Sequence, residues 1–373
     1  MLLAQVNTQL ADTSNKLIYS AMAVYTLAMF AQMFEWTFGS KGGVAVRSAQ
    51  QATLAETVSD SADAAKGVRK VTVTVAAANG GTTTLTRTAL ADAGATTVTS
   101  GRGDGGPTDG PGPAGTNEKA DTAGRIAVSL TVLGLLLHVG GVLTRGLSVM
   151  RWPWGNMYEF SCAFAMMMVG AYVVLLATRK NVRWLGLPVV IAALLILGIA
   201  VSVLYTDSEQ LVPALHSYWL GIHVSTATIC GGAFFAAFVA TAAYLLKDRY
   251  EHRVAAGLTV RAANLMERLP AAGTLDKLSY RINALIFPLW TFTIIAGAIW
   301  AEAAWGKYWE WDPKETWSFI TWVVYAAYLH ARATAGWRGR KAAYLALLAF
   351  ACWLFNFYGV NIFITGKHSY AGI

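Results

Sequence analysis

Eight apolar runs, each long enough to cross a bilayer at about 20 residues per span, divide the chain near 17–38, 125–146, 158–178, 184–205, 217–246, 282–302, 317–335 and 342–364. Their pattern is continuous rather than alternating, so the expected fold class is an all-α polytopic membrane protein of about eight transmembrane helices. Between the sixth and seventh runs lies Trp305-Gly306-Lys307-Tyr308-Trp309-Glu310-Trp311-Asp312-Pro313-Lys314-Glu315-Thr316-Trp317. An ordinary connector carries small polar residues and one or two aromatics at headgroup level. Four tryptophans interleaved with charged groups instead offer a stacking surface to something flat and apolar. Asp312 followed by Pro313, with Glu315 three residues on, reads as N-cap, first helical position and capping-box partner, and starts the seventh span.

Residues 40–124 break the pattern. They are rich in Ala, Thr, Gly and Ser, and separate a first span (1–39) from a seven-span domain (125–373, with the Trp-rich loop at 303–317). Within this insert, Val71 to Val75, then Asn79-Gly80-Gly81, then Thr82 to Thr88 predict a β-hairpin. The Pro- and Gly-bearing stretch from Gly101 to Gly115 reads as linker. Between Lys247 and Arg281, the spacing of Val254, Leu258, Leu265 and Leu269 predicts a helix lying on the membrane surface.

With 55% hydrophobic and 13% charged residues in 373, composition agrees with a membrane protein. The net charge of +8 does not point to nucleic acid, because the cations sit in connections beside the spans. Of the 29 Lys and Arg, 23 fall on one side of an eight-span topology, and 14 stand against 6 even without the long insert. The positive-inside rule then puts the Trp-rich loop and both termini outside the cell membrane. Cys162, Cys230 and Cys352 lie singly in apolar runs and form neither a CxxC pair nor a haem-attachment site, so any redox work on thiols belongs to a partner. The first run lacks a preceding basic region and reads as a retained span.

Ionisable groups inside spans are costly and mark function. Of six histidines, His252 lies in a charged connection, and His138 suits a helix-to-helix hydrogen bond at least as well as ligation. Counting crossings from the loop brings His223, two turns into the fifth span, and His368, just past the last, to the loop's side. His216 precedes the fifth span on that side too. Two imidazoles flanking a flat aromatic surface suit a planar metallocycle better than a bare ion, since zinc would call for more ligands close together. Unrelated core histidines and other ligands remain open on these grounds. His330, thirteen residues past Trp317, lies roughly 20 Å deeper at 1.5 Å per helical residue, beside Arg332.

These residues resemble the haem-handling membrane proteins of system II cytochrome c biogenesis, the CcsA or ResC type, called CcsB in some bacteria. The stretch from Trp305 through Trp322 to Tyr328-Leu329-His330-Ala331-Arg332 is similar to that family's WWD domain and following span. Leu211 to Val224, Phe357-Tyr358-Gly359-Val360-Asn361 with Gly366 to Tyr370, and Trp154-Gly155-Asn156-Met157-Tyr158-Glu159-Phe160 are similar to three further motifs, in the family's order. The resemblance covers about residues 125–373. It implies that His223 and His368 are axial ligands of haem b, carried as cargo, with Trp305, Trp309, Trp311 and Trp317 against the macrocycle and Asp312 shaping the loop. It implies that His330 pairs with a histidine of a ResB or Ccs1-type membrane subunit. The implied activity is delivery of haem for thioether attachment to the CxxCH motif of apocytochrome c, making the chain part of a cytochrome c synthase. A haem exporter or chaperone without ligase activity, and a haem-containing oxidoreductase, are the alternatives. The insert at 40–124 departs from the family core.

Overall fold

The computed structural model describes residues 6–39, 59–63, 68–76, 82–90, 112–115, 117–178, 181–210, 217–258, 263–334 and 336–367. His216, His368 and the turn Asn79-Gly80-Gly81 lie outside them, as does most of the linker from Gly101. The spans are helices: α1 Thr8–Phe38, α2 Glu118–Ser148, α3 Met157–Thr178, α4 Arg183–Ser202, α5 Tyr218–Ala255, a short α6 Ala263–Met266, α7 Ala272–Trp305, α8 Pro313–Ala333 and α9 Arg340–Phe363. In the insert, β1 Ser59–Asp63, β2 Val68–Ala76 and β3 Thr82–Leu90 form an antiparallel sheet in that order, with Val71 opposite Arg87 and Val75 opposite Thr83.

Local chemistry starts the helices where the sequence supplies a cap. Asn7 accepts from Leu10 N–H at 3.1 Å, and Asn117 from Lys119 N–H at 3.0 Å and Ala120 N–H at 3.3 Å. Because Asn117 satisfies two end donors, α2 begins at Glu118, seven residues before the run that hydrophobicity marks. Once inside the membrane, small residues set the approach of one helix to another. A Cβ on Gly134 of α2 would stand 2.6 Å from the Tyr25 ring of α1. Ser14 Oγ donates to the Gly141 carbonyl at 2.7 Å, and Asn7 N–H to the Ser148 carbonyl at 2.8 Å, so α1 and α2 pair along their whole length. The core beneath them gathers Tyr25, Tyr172, Leu185, Val189, Leu197 and Leu275, all fully buried.

Seven of these helices are long and apolar enough to cross a membrane by themselves. Helix α8 is not among them, since Thr321, Tyr325, Tyr328, His330 and Arg332 interrupt its apolar run. Its 21 residues still reach about 31 Å at 1.5 Å each. It runs antiparallel to α7 from end to end: it begins seven residues after α7 stops, and near its own end Arg332 donates to Asp276 in the first turns of α7 at 2.5 and 2.9 Å. Its pairing with α7, itself a candidate span, gives α8 the length and the neighbour for an eighth crossing.

Among the described residues, the segment between Lys247 and Arg281 does not show the separate surface helix expected there. Helix α5 instead continues to Ala255, because Lys247 Nζ finds the Met266 carbonyl at 2.7 Å and Tyr250 Oη donates to Glu267 at 3.1 Å. Among the described residues, the four-residue α6 follows before α7. Of the expected apolar face, Leu269 is buried while Val254, Leu258 and Leu265 are exposed.

Candidate functional site

Contacts sort the helix ends into two groups. Asn7 meets Ser148; the Trp152 indole lies against Gly221; His223 meets Thr293; and the 306–312 loop meets Lys367. Both described chain ends, the start of α5 and the Trp-rich loop therefore share one end of the bundle. At the other end stand Glu35–Arg183–Asp121, Arg332–Asp276 and Arg340–Asp248.

His223 sits in the second turn of α5, facing α7. Its Nδ1 is 2.9 Å from the Thr293 carbonyl oxygen. A carbonyl only accepts, so Nδ1 carries the hydrogen and donates, and the ring's lone pair is on Nε2, the tautomer suited to metal ligation. The ring stacks on Trp300, with centroids 6.0 Å apart and planes 18° apart. A Cβ on Gly297 would stand 2.7 Å from His223 Cε1, so only glycine leaves the imidazole this seat against the α7 backbone.

Over this seat folds the loop. Helix α7 ends on Gly306 at φ 74°, the left-handed conformation that glycine adopts without strain, and its N–H donates to the Glu302 carbonyl. The chain then turns through Trp311 at φ 60°, strained for a bulky residue. What holds it is the capping box: Glu315 Oε2 accepts from Glu310 N–H at 2.9 Å and Asp312 N–H at 3.2 Å, while Asp312 Oδ2 accepts from Lys314 N–H at 3.3 Å. Asp312 has a second use. Its Oδ1 accepts from Lys367 N–H at 2.8 Å, tying the C-terminal segment to the loop. The Lys367 ammonium also pairs with Glu310 and lies 5.7 Å from the Trp305 ring centroid.

A cavity of about 40 Å³ lies between His223, Gly297, Trp300, Tyr308, Trp309 and Lys314. It has room for a few waters, not for an enclosed macrocycle, so a flat ligand would reach His223 by displacing the loop residues Tyr308 and Trp309. A larger cavity, about 620 Å³, lies on the other side of the first turns of α5, lined by Leu143, Leu147, Met150, Trp152 and Tyr218 among others and, among the described residues, by no histidine.

The structure divides the sequence-derived candidates. Trp309 lines the His223 cavity. Trp305 packs on Trp300 at 5.0 Å, and Trp311, 63% exposed, stands edge-on to Trp309 at 5.6 Å. Trp317 turns away to Phe355, 4.4 Å between centroids. His330 is exposed near the opposite end of α8, and Thr334 donates to its carbonyl. His138, fully buried in α2, faces Tyr25 Oη at 3.4 Å, the helix-to-helix contact considered for it. The three cysteines are buried and free, and no group of three or more metal-ligating side chains occurs among the described residues.

Thr293, Gly297 and Trp300 were not legible as site residues, because each reads as an ordinary position of an apolar run. The support below the site was equally hidden. Glu159, 2% exposed, accepts from Arg145 Nε at 3.0 Å, Arg151 at 2.8 and 3.2 Å, and Gly155 N–H at 2.7 Å. From the same helix, Ser161 accepts from Tyr358 Oη at 3.1 Å. That bond ties α3 to the π-helical turn Phe355–Gly359 of α9. Such a turn redirects main-chain carbonyls, and Lys314 Nζ and Asn361 Nδ2 donate to those of Asn356 (2.9 Å) and Phe357 (2.7 Å).

Comparison with known proteins follows the same boundaries. The chain matches the family model described as cytochrome C assembly protein over residues 154–368, more than half its length. It is 36% identical over 281 residues to the cytochrome c biogenesis protein CcsA of Gloeobacter violaceus, covering 63% of this chain and 83% of the relative. It is 37% identical over 267 residues to that of Microcystis aeruginosa (61% and 81%) and 38% over 239 residues to that of Guillardia theta (61% and 79%). With the WWD-type loop, the paired motifs of α3 and α9 and the spanning helices in the order described, the chain belongs to the cytochrome c assembly protein family, of the CcsA type.

Proposed function

We propose that this protein acts in cytochrome c biogenesis by holding haem b as cargo at the loop end of the bundle and presenting it for covalent attachment. His223 is one axial ligand through Nε2, and His368, the residue after Lys367, is the other. Tyr308 and Trp309 move aside, and the rings of Trp305, Trp309 and Trp311 give the macrocycle its apolar contact. Asp312 positions rather than reacts, since its oxygens are used by the Lys314 and Lys367 amides. The observation that carries this reading is the seat of His223, whose donated Nδ1 hydrogen, stacked Trp300 and close-packed Gly297 fix a lone pair toward the side covered by the Trp-rich loop.

In attachment, the two thiols of an apocytochrome CxxCH segment add across the haem vinyl groups. Each S–H bond is replaced by a C–S bond at one vinyl carbon and a C–H bond at the other, with no net electron transfer. The thiols must arrive reduced, which calls for a thiol-reducing partner, since the buried cysteines of this chain are in no position to serve. Binding contributes mainly by holding vinyls and thiols in register, which raises their effective concentration. His330, exposed on α8 at the far end, is read as the ligand of a second haem position completed by a ResB or Ccs1-type membrane subunit. The loop end faces outside the cell membrane, following the excess of cations at the other end.

The test is the haem spectrum of the purified chain with and without that subunit, with His223→Ala and His368→Ala introduced singly. Each substitution is expected to shift or abolish the absorbance of the loop-end haem, and His330→Ala to remove only a partner-dependent pool. Unchanged haem in both loop-end variants would overturn the ligand assignment. Haem retained without thioether formation, when reduced apocytochrome and the partner are supplied, would make the protein an exporter or chaperone.

A further inference from the structure

At the end of the bundle away from the Trp-rich loop, two adjoining cavities of about 370 and 100 Å³ share Asn181, Trp184 and Pro270 as walls. They lie where α2, α4 and α7 begin, all candidate membrane spans, and so at the bilayer boundary. The smaller is lined by Arg183, Trp184 and Arg268, and each carries a buried N–H donor with no acceptor among the described residues: Arg183 Nε, Trp184 Nε1 and Arg268 Nε. Unsatisfied buried donors are costly, about 1–3 kcal/mol each, and three around one small cavity call for an anionic acceptor. The acidic groups in the wall do not meet that need, because Glu35 and Asp121 both bind the terminal nitrogens of Arg183. Glu267 beside Arg268 is used by Tyr250.

The larger cavity adds the other half of the chemistry. Lys277 and Arg281, exposed at its rim, make no ion pair among the described residues, while Val182, Leu275 and Leu278 give it an apolar wall. With Arg183 and Arg268 opposed by Glu35 and Asp121, the joined site carries a net charge of +2. None of its lining residues is His, Cys or Met, so it offers haem iron no ligand. We propose that these cavities form a specific binding site for one anionic phospholipid, its phosphate received by the buried N–H donors and its glycerol and proximal acyl carbons lying against Val182, Leu275 and Leu278. Basic pockets between membrane helices are suited to such headgroups. The inference does not depend on the reading of the loop end.

The experiment is native mass spectrometry of the detergent-purified full chain, titrated with dioctanoyl-phosphatidylglycerol, dioctanoyl-phosphatidylcholine or inorganic phosphate. One phosphatidylglycerol is expected to bind in preference to the other two. The double variant Lys277→Gln/Arg281→Gln, altered only at exposed positions, is expected to bind it about 30-fold more weakly, the equivalent of about 1 kcal/mol per cation. Trp184→Phe keeps the ring and removes one donor. It is expected to weaken binding about tenfold, while leaving the thermal midpoint of the lipid-free protein unchanged or raised. Equal retention of phosphatidylcholine, or wild-type affinity in both variants, would overturn the site. Inorganic phosphate binding as tightly as the lipid would overturn the lipid assignment.

Discussion

His223 owes its position to three neighbours that act in different ways: a carbonyl that fixes the tautomer, an indole that fixes the plane, and a glycine that leaves room. The glycine is the most direct to test. In Gly297→Ala the new methyl carbon would stand 2.7 Å from the imidazole, and the ring, at the end of a flexible side chain, would swing away before the helix yields. The expected outcome is a folded protein with a near-normal thermal midpoint and a weakened or shifted loop-end haem absorbance, read by spectroscopy of the purified chain. Glu159 presents the opposite case, in which structure rather than ligand is at stake. Among the described residues it is the carboxylate that pairs with both Arg145 and Arg151, whose side chains are 3% and 6% exposed. Glu159→Gln leaves two buried guanidinium groups without their counter-charge, so destabilisation of about 3–5 kcal/mol is expected, visible as a large fall in thermal midpoint.

At the scale of elements, the loop, the start of α8 and the end of α9 behave as one unit because they share Asp312. Asp312→Ala removes both the helix cap, worth about 1 kcal/mol, and the anchor of the C-terminal segment. Faster hydrogen exchange is expected both at 313–316 and at 360–367. Asp312→Asn keeps a single side-chain oxygen and replaces the other by an NH2 that cannot accept, so only one of the two amides retains its acceptor. Because Asn is as good an N-cap as Asp, near-native protection is expected at 313–316 and faster exchange at 360–367. If exchange rises at 313–316 alone in the Ala variant, the tie to Lys367 contributes nothing.

For the whole molecule, seven strongly apolar helices are joined by α8 paired along α7, and both described chain ends lie at the Trp-rich loop's end of the bundle. Sidedness follows from where the cations lie. Because Cys162, Cys230 and Cys352 are buried, introduced thiols can be read against a low background. Tyr308→Cys is expected to react with a membrane-impermeant reagent in intact cells, and Lys277→Cys only after permeabilisation. The reverse result would invert the topology.

The sequence by itself determined the polytopic helical class, the helix start at Asp312 and the placing of the chain ends on the Trp-rich loop's side. Each depends on short-range patterns: apolar length against bilayer thickness, an N-cap with its Glu three residues on, and the parity of spans. It also carried the family likeness, because those motifs are contiguous words in the chain. Tertiary structure alone decided the rest. Trp300 and Gly297 belong beside His223 because α5 and α7 pack face to face there, and no local pattern marks which apolar positions will meet. Trp317, adjacent in sequence to the other tryptophans, was turned to Phe355 by the rotation of α8. Surface spacing predicted a separate helix after Lys247, where among the described residues α5 continues to Ala255, held by bonds to Met266 and Glu267. Contacts between residues distant in the chain depend on the relative rotation and depth of whole helices, which hydrophobicity leaves free and packing fixes.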